Sequence, residues 1–141
     1  SLPKYISSFP VDKKEITSAI LSDKKNLTKI IKIVHLEIRK KLNTFIKKNK
    51  KSKILILDIP LLLENKINNK KDILIFVESK KLEIIKRLKK RKNFNHKLLK
   101  KFKNIQLPII YKKKESHFII KNDFTKRTVR NRIKNILKKI I

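Results

Sequence analysis

A chain of 141 residues carrying 41 basic and 11 acidic side chains, with no glycine, cysteine or methionine, is long enough for a single domain with a core and gives no reason to expect two. Lack of cysteine excludes a disulfide framework and a thiolate metal site, and His35, His96 and His117 lack the i, i+4 pairing of a helical zinc site. Its apolar runs fall well short of the roughly 20 residues that span a bilayer, and Ser1 to Pro10 has no signal-peptide core, so a soluble, cytoplasmic protein without membrane contact is expected.

The Pro-punctuated segment 1–11 leads to Asp12, which is placed to cap a short helix with Ile16, Ala19 and Ile20 on one face. Asp23 is placed to cap a second, whose apolar positions Leu27, Ile30, Ile31, Val34, Ile38, Leu42, Phe45 and Ile46 keep a helical period. That helix ends in the basic run of residues 47–51, favourable near its carbonyl end. Residues 54–59, Ile-Leu-Ile-Leu-Asp-Ile, then read as an unbroken apolar strand stopped by Pro60. A run without polar alternation suits a strand covered on both faces. Ligands bind beyond the carboxyl ends of such strands, where Asp58 to Asn65 fall.

Asp72 to Val77 reads as a second buried strand, and Ser79 is placed to cap a helix through Leu82, Ile85 and Leu88 to about Arg91. Asn95 opens another helix, with Leu98, Leu99, Phe102 and Ile105 inward, and Pro108 separates it from a short Lys-rich helical piece. His117 to Lys121 is a third strand. Thr125 to Ile141 closes the chain as an amphipathic helix on Val129, Ile133, Ile136, Leu137 and Ile140. Strands separated by helices imply a parallel sheet with right-handed crossovers.

The net charge of +30 invites a nucleic-acid reading, because Lys and Arg neutralise phosphates. Yet 35 of the 41 basic residues are Lys and 6 are Arg, whereas bidentate phosphate and base-edge readers favour Arg. Lys, Ile and Asn fill half the chain, and all three have A/T-rich codons, so composition explains much of the charge without a partner. The lysines are also spread over nearly every segment. Zero glycine, where about 7% is usual, means that no Gly-rich phosphate-cradling loop lies within these residues. Together with the missing methionine it suits a fragment of a longer protein, or a strongly diverged one.

The series Ile33-Val-His35-Leu-Glu-Ile38, Leu57-Asp-Ile-Pro-Leu-Leu-Leu-Glu-Asn65, Ile75-Phe-Val-Glu78, Arg87-Leu-Lys-Lys-Arg91, Gln106 and Phe118-Ile-Ile-Lys-Asn122 resembles the dephospho-CoA kinase family in order and spacing. The resemblance implies an α/β fold, a three-layer parallel sheet of the P-loop kinase type with helical substrate and lid segments. The substrate region falls at residues 12–50 and the lid-like region at 80–115, while the first strand and the P-loop are absent. On this reading the chain is a single domain, residues 1–141, corresponding to the carboxyl-terminal two-thirds to three-quarters of a family member. The implied reaction moves the γ-phosphate of ATP, with Mg²⁺, to the ribose 3′-hydroxyl of dephospho-CoA, completing coenzyme A synthesis.

Phosphoryl transfer asks a protein mainly for positioning and charge neutralisation. Arg87 and Arg91 stand four apart on one predicted helix and hence on one face. By resemblance Arg87 contacts the ATP phosphates as the catalytic cation, and Arg91 closes over them from the lid; two solvated basic residues are the competing reading. Asn122 matches the residue near the adenine, against an Asx turn into Thr125. His35, Pro60, Leu61, Leu62 and Glu64 are the implied acceptor-side wall, with Glu64 holding the loop or a basic neighbour. Leu36 replaces the usual proline after His35, and a half-buried structural histidine competes with a substrate role. Asp58 stands where a Walker B carboxylate organises Mg²⁺ through water, against a turn-forming Asp before Pro60.

The departures are as informative. The Gly-Lys-Ser or Gly-Lys-Thr loop and the Asp base that follows it are missing, Ser116-His117 replaces the usual Ala-Asp, and Ile109 stands where an Arg is common. A chain lacking the backbone cradle for phosphate is expected to be inactive alone. The competing class is a basic nucleic-acid-binding module on a degenerate kinase fold. Nucleic acid is not the expected partner, and the oligomeric state is left open.

Overall fold

The computed structural model describes residues 6–141; the start of the Pro-punctuated opening segment, residues 1–5, lies outside the described residues. Described are α1 (Lys13–Ser22), α2 (Lys24–Lys48), β1 (Ile75–Glu78), α3 (Lys81–Lys89), α4 (His96–Asn104), α5 (Ile109–Lys114), β2 (Phe118–Lys121) and α6 (Lys126–Ile140). The chain divides into two compact units, residues up to Pro60 with His96–Asn104, and Leu61–Asn95 with Ile105–Ile141.

In the first unit both acidic caps form as the sequence expects. The carboxylate of Asp12 accepts the Lys14 N–H at 2.9 Å and that of Asp23 the Lys25 N–H at 2.8 Å, each satisfying a donor that a helix start leaves open. Asp23 thereby ends α1 and begins α2. Ala19, Ile20 and Leu27 are the buried apolar side chains here. The amide of buried Asn26 donates to the Ala19 carbonyl at 2.9 Å, so its polar group is not left unpaired. No basic residue stands in the last turn of α1. Lys101, from α4, reaches across instead, its Nζ donating to the Ile20 and Leu21 carbonyls at 2.5 and 3.2 Å. That is the cationic partner a helix carboxyl end favours. Glu15 accepts the hydroxyls of Ser7 and Ser8 at 2.7 and 2.6 Å, tying the opening segment to α1.

α2 runs unbroken for 25 residues, through His35 and Leu36. Residues 54–59, expected as a strand, are not one: the segment carries no ladder, and Ile56 is 84% exposed. Strand pairing is non-local, and an apolar run becomes a strand when a neighbour takes up its N–H and C=O groups. No neighbour does so among the described residues.

The second unit holds a parallel pair, β1 with β2, in the register Ile75↔Phe118, Phe76↔Ile119, Val77↔Ile120 and Glu78↔Lys121. The expected three-stranded sheet is thus a small two-stranded one, in an α/β arrangement consistent with the P-loop kinase fold. Both strands start later than their apolar patterns suggest, yet pairing extends back through a side chain. His117 donates its N–H to the Leu74 carbonyl, and its Nδ1 accepts the Leu74 N–H, both at 2.9 Å. The imidazole proton therefore sits on Nε2. Ile120 of β2 is buried, and α6 packs against this strand and buries Ile136. α3 starts after Lys80 without a side-chain cap, so Ser79 does not take the capping role the sequence suggests, and it stops at Lys89.

Candidate functional site

The carboxyl ends of β1 and β2 open onto a cleft of about 480 Å³, walled by Glu78–Lys80 and Glu83 on one side and Lys121–Phe124 on the other. Clefts at this end of parallel strands are where α/β proteins bind ligands. The wall after β2 is built by turn chemistry. Asn122 continues the ladder by donating its N–H to the Glu78 carbonyl at 2.7 Å. Its Oδ1 then accepts the Phe124 N–H at 2.8 Å, an Asx turn. Asp123 takes the Thr125 N–H at 3.0 Å and the Thr125 hydroxyl at 2.8 Å. The Thr125 amide hydrogen bond, with the hydroxyl next, holds the Asp123 carboxyl below its ordinary range.

This turn puts Phe124 at φ 65°, a left-handed backbone that glycine would adopt without cost. The ring lies under Arg87, with the guanidinium carbon 3.8 Å from its centroid, well within the distance at which a cation is attracted to an aromatic face. Arg87 is exposed on α3. The structure thus joins Arg87, itself not one of the lining residues, through Phe124 to the Asn122 turn that lines the cleft. It does not put Arg91 on the same helix face. α3 ends at Lys89, and Arg91 lies beyond it, its N–H donating to the Leu88 carbonyl at 3.1 Å in a tight turn. A run of Lys and Arg, all good helix formers, carries no stop signal, which is why the sequence pattern extended the helix too far.

Residues 61–67 form a compact turn. The Leu61 carbonyl accepts the Asn65 N–H at 3.1 Å and its side-chain amide at 2.7 Å, and Leu61 itself has φ 57°. Glu64 holds both a loop and a basic neighbour. Its carboxylate, 9% exposed, accepts the Leu107 N–H at 3.0 Å and pairs with Lys112 of α5 at 2.6 Å. Burial pushes this carboxyl upward, but the Lys112 hydrogen bond and the Leu107 amide outweigh it and hold the group below the usual range. The next lysine, Lys113, pairs with Glu78 at the end of β1 and, as the main cause, lowers that carboxyl too. Adjacent lysines on α5 therefore engage carboxylates from two segments.

Of the remaining sequence-predicted residues, His35 is half-buried on α2, and Asp58 and Pro60 are exposed in the segment after it. Among the described residues no three His, Asp or Glu side chains gather where they could hold a metal ion. Asp58, a single exposed carboxylate, does not by itself fit bound Mg²⁺, and no step is assigned to that ion. Sequence reasoning missed Phe124, Lys112 and Lys113. Thr125 after Asn122-Asp123 signals a turn, but an aromatic within that turn gives no sign of the cation above it.

A parallel-stranded α/β frame with its cleft at the strand ends is one in which P-loop kinases are built, and comparison with known proteins narrows this. A family model described as dephospho-CoA kinase matches residues 10–127. The dephospho-CoA kinase of Wolbachia pipientis wMel is 31% identical over 97% of this chain and 71% of its own length. That of Wolbachia sp. subsp. Brugia malayi is 30% identical with the same coverage, and that of Bacillus anthracis 29% identical over 92% of this chain and 66% of its own. The chain belongs to the dephospho-CoA kinase family, a family of phosphotransferases.

Proposed function

We propose that this chain serves the ATP-dependent phosphorylation of the ribose 3′-hydroxyl of dephospho-CoA, the last step of coenzyme A synthesis. The observation that carries the reading is the family match over residues 10–127, joined by the cluster of Arg87, Phe124 and Asn122 at the strand ends. In this reading Arg87 meets the developing charge on the transferred phosphoryl group, where a fixed cation stabilises the transition state more than the ground state. Asn122 lies toward the adenine and Arg91 closes from the turn after α3. His35, Pro60, Leu61 and Leu62 belong to the acceptor side, with Glu64 fixing the turn that carries the leucines.

With no glycine among its 141 residues, the chain has no Gly-rich loop to cradle phosphate, so in this reading it does not turn over alone. The test is an assay of ATP-dependent phosphorylation of dephospho-CoA, run on these residues and on the product of the whole reading frame that encodes them. The longer product is expected to turn over, and Arg87→Ala in it to lose about 10²–10³-fold in kcat. Activity of the longer product that Arg87→Ala leaves unchanged would remove Arg87 from the catalytic role. Lack of any transfer to dephospho-CoA would remove the proposed reaction.

A further inference from the structure

α6 and the residue after it carry seven basic side chains and no acidic one after Asp123. Other segments share that bias, so the count alone points to no partner. The arrangement is more specific. Arg127, Arg130, Lys134 and Lys138 follow at spacings of three, four and four, which on an α-helix lines them along one flank. All four are exposed, and the row extends roughly 16 Å at about 1.5 Å per residue. The four ion pairs found among the described residues engage Lys40, Lys86, Lys112 and Lys113, so none neutralises this row. Half of the chain's six arginines lie on α6, in a protein where Lys outnumbers Arg 35 to 6. Codon composition accounts for abundant lysine; it does not set the angular phase of a helix.

We propose that this row binds the phosphodiester backbone of nucleic acid, an activity separate from the reaction proposed above. A duplex presents about one negative charge per 1.7 Å of axis, and a row of cations on one helix meets that array without ordering a flexible segment first. The two arginines add planar forks suited to phosphate oxygens. An anionic membrane is the weaker match. Basic amphipathic helices hold to lipid by burying their apolar face, and here most of that face is turned to β2, with Ile136 buried, Val129, Leu137 and Ile140 half-buried and Ile133 exposed.

The experiment measures binding of the 141-residue chain to a labelled random-sequence DNA duplex by fluorescence anisotropy across a salt series. Arg127→Gln/Arg130→Gln/Lys134→Gln/Lys138→Gln is expected to weaken binding at least about tenfold and to flatten the log–log salt slope by about three. A control with the same loss of charge at exposed α2 positions, Lys29→Gln/Lys32→Gln/Lys41→Gln/Lys48→Gln, is expected to change affinity by less than about threefold. Arg127→Lys/Arg130→Lys keeps the slope. The double variant Arg130→Gln/Lys134→Gln repeats the test at half the charge, with an expected flattening of about two, should the quadruple variant lose helical circular dichroism. Equal weakening by the α2 control would reduce the binding to net charge and overturn the proposal. So would absence of salt-dependent duplex binding, or binding to phosphatidylserine vesicles as tight as to the duplex at equal charge concentration.

Discussion

Arg87 and Phe124 come from segments far apart in sequence and meet because the parallel register brings the ends of β1 and β2 side by side. Arg87 and Asn122 could be read from spacing, since a basic residue on a helix after one strand and an Asn ending another are visible as residue types. Phe124 could not. Its φ of 65° occurs in a chain without glycine, so the usual sequence mark of a left-handed turn is missing. Glu15 shows the same limit and gives a measurable consequence. The Ser8 hydroxyl foremost, then Ser7, lowers its carboxyl from an ordinary 4.5 to about 2. A depressed carboxyl stabilises the folded state at pH above its unfolded value, and that contribution fades as pH falls toward the folded one. The tie between the opening segment and α1 is therefore expected to hold at neutral pH and to loosen between about pH 4.5 and 2. A side-chain NMR titration checks it: Ser8→Ala should return the Glu15 midpoint toward 4.5, and an unmoved midpoint would exclude the hydroxyl as its main cause.

At the scale of elements, the two acidic caps and the order of helices were legible because they depend on local chemistry, whereas the expected Ser79 cap did not form. Asp12 and Asp23 sit where they are expected, and Pro108 separates α4 from α5. What the pattern could not give was the anchoring of α5. Two adjacent lysines in a Lys-rich helix look solvated, and only the tertiary fold shows that Lys112 and Lys113 reach Glu64 and Glu78. Glu64 is the more consequential of the two carboxylates, being 9% exposed and also the acceptor for the Leu107 amide. Glu64→Ala strands that N–H and a partly buried ammonium, and is expected to cost about 1–3 kcal/mol locally. Hydrogen exchange reads this directly. The Leu107 amide should exchange at least about tenfold faster in Glu64→Ala, while Glu64→Gln, which keeps an acceptor oxygen, should retain most of the protection. Equal protection in all three proteins would mean that Glu64 does not hold the segment before α5.

At the scale of the whole molecule, the apolar side chains exceed what the described fold covers. The buried ones are Ala19, Ile20, Leu27, Ile120 and Ile136, whereas Ile56, Val77 and Ile75 are 84%, 55% and 43% exposed. At about 25 cal/mol per Å² of apolar surface removed from water, so few buried side chains leave little to offset chain entropy. Ile54, Ile56 and Leu57 in the 54–59 segment and Ile75 and Val77 of β1 are exposed in segments whose sequence reads as strand buried on both faces. Their pattern is that of a larger sheet. The chain alone is accordingly expected to bind the dye ANS and to unfold in urea over a broad transition, with an m-value toward or below the lower end of the usual range of about 1–3 kcal/mol/M. A longer product of the same reading frame that adds neighbouring strands should lose the dye signal and steepen the transition, because exposed apolar surface on unfolding sets the slope. If the 141 residues alone unfolded steeply and bound no dye, these side chains would be covered by the chain itself in solution, and the need for further strands would fall away.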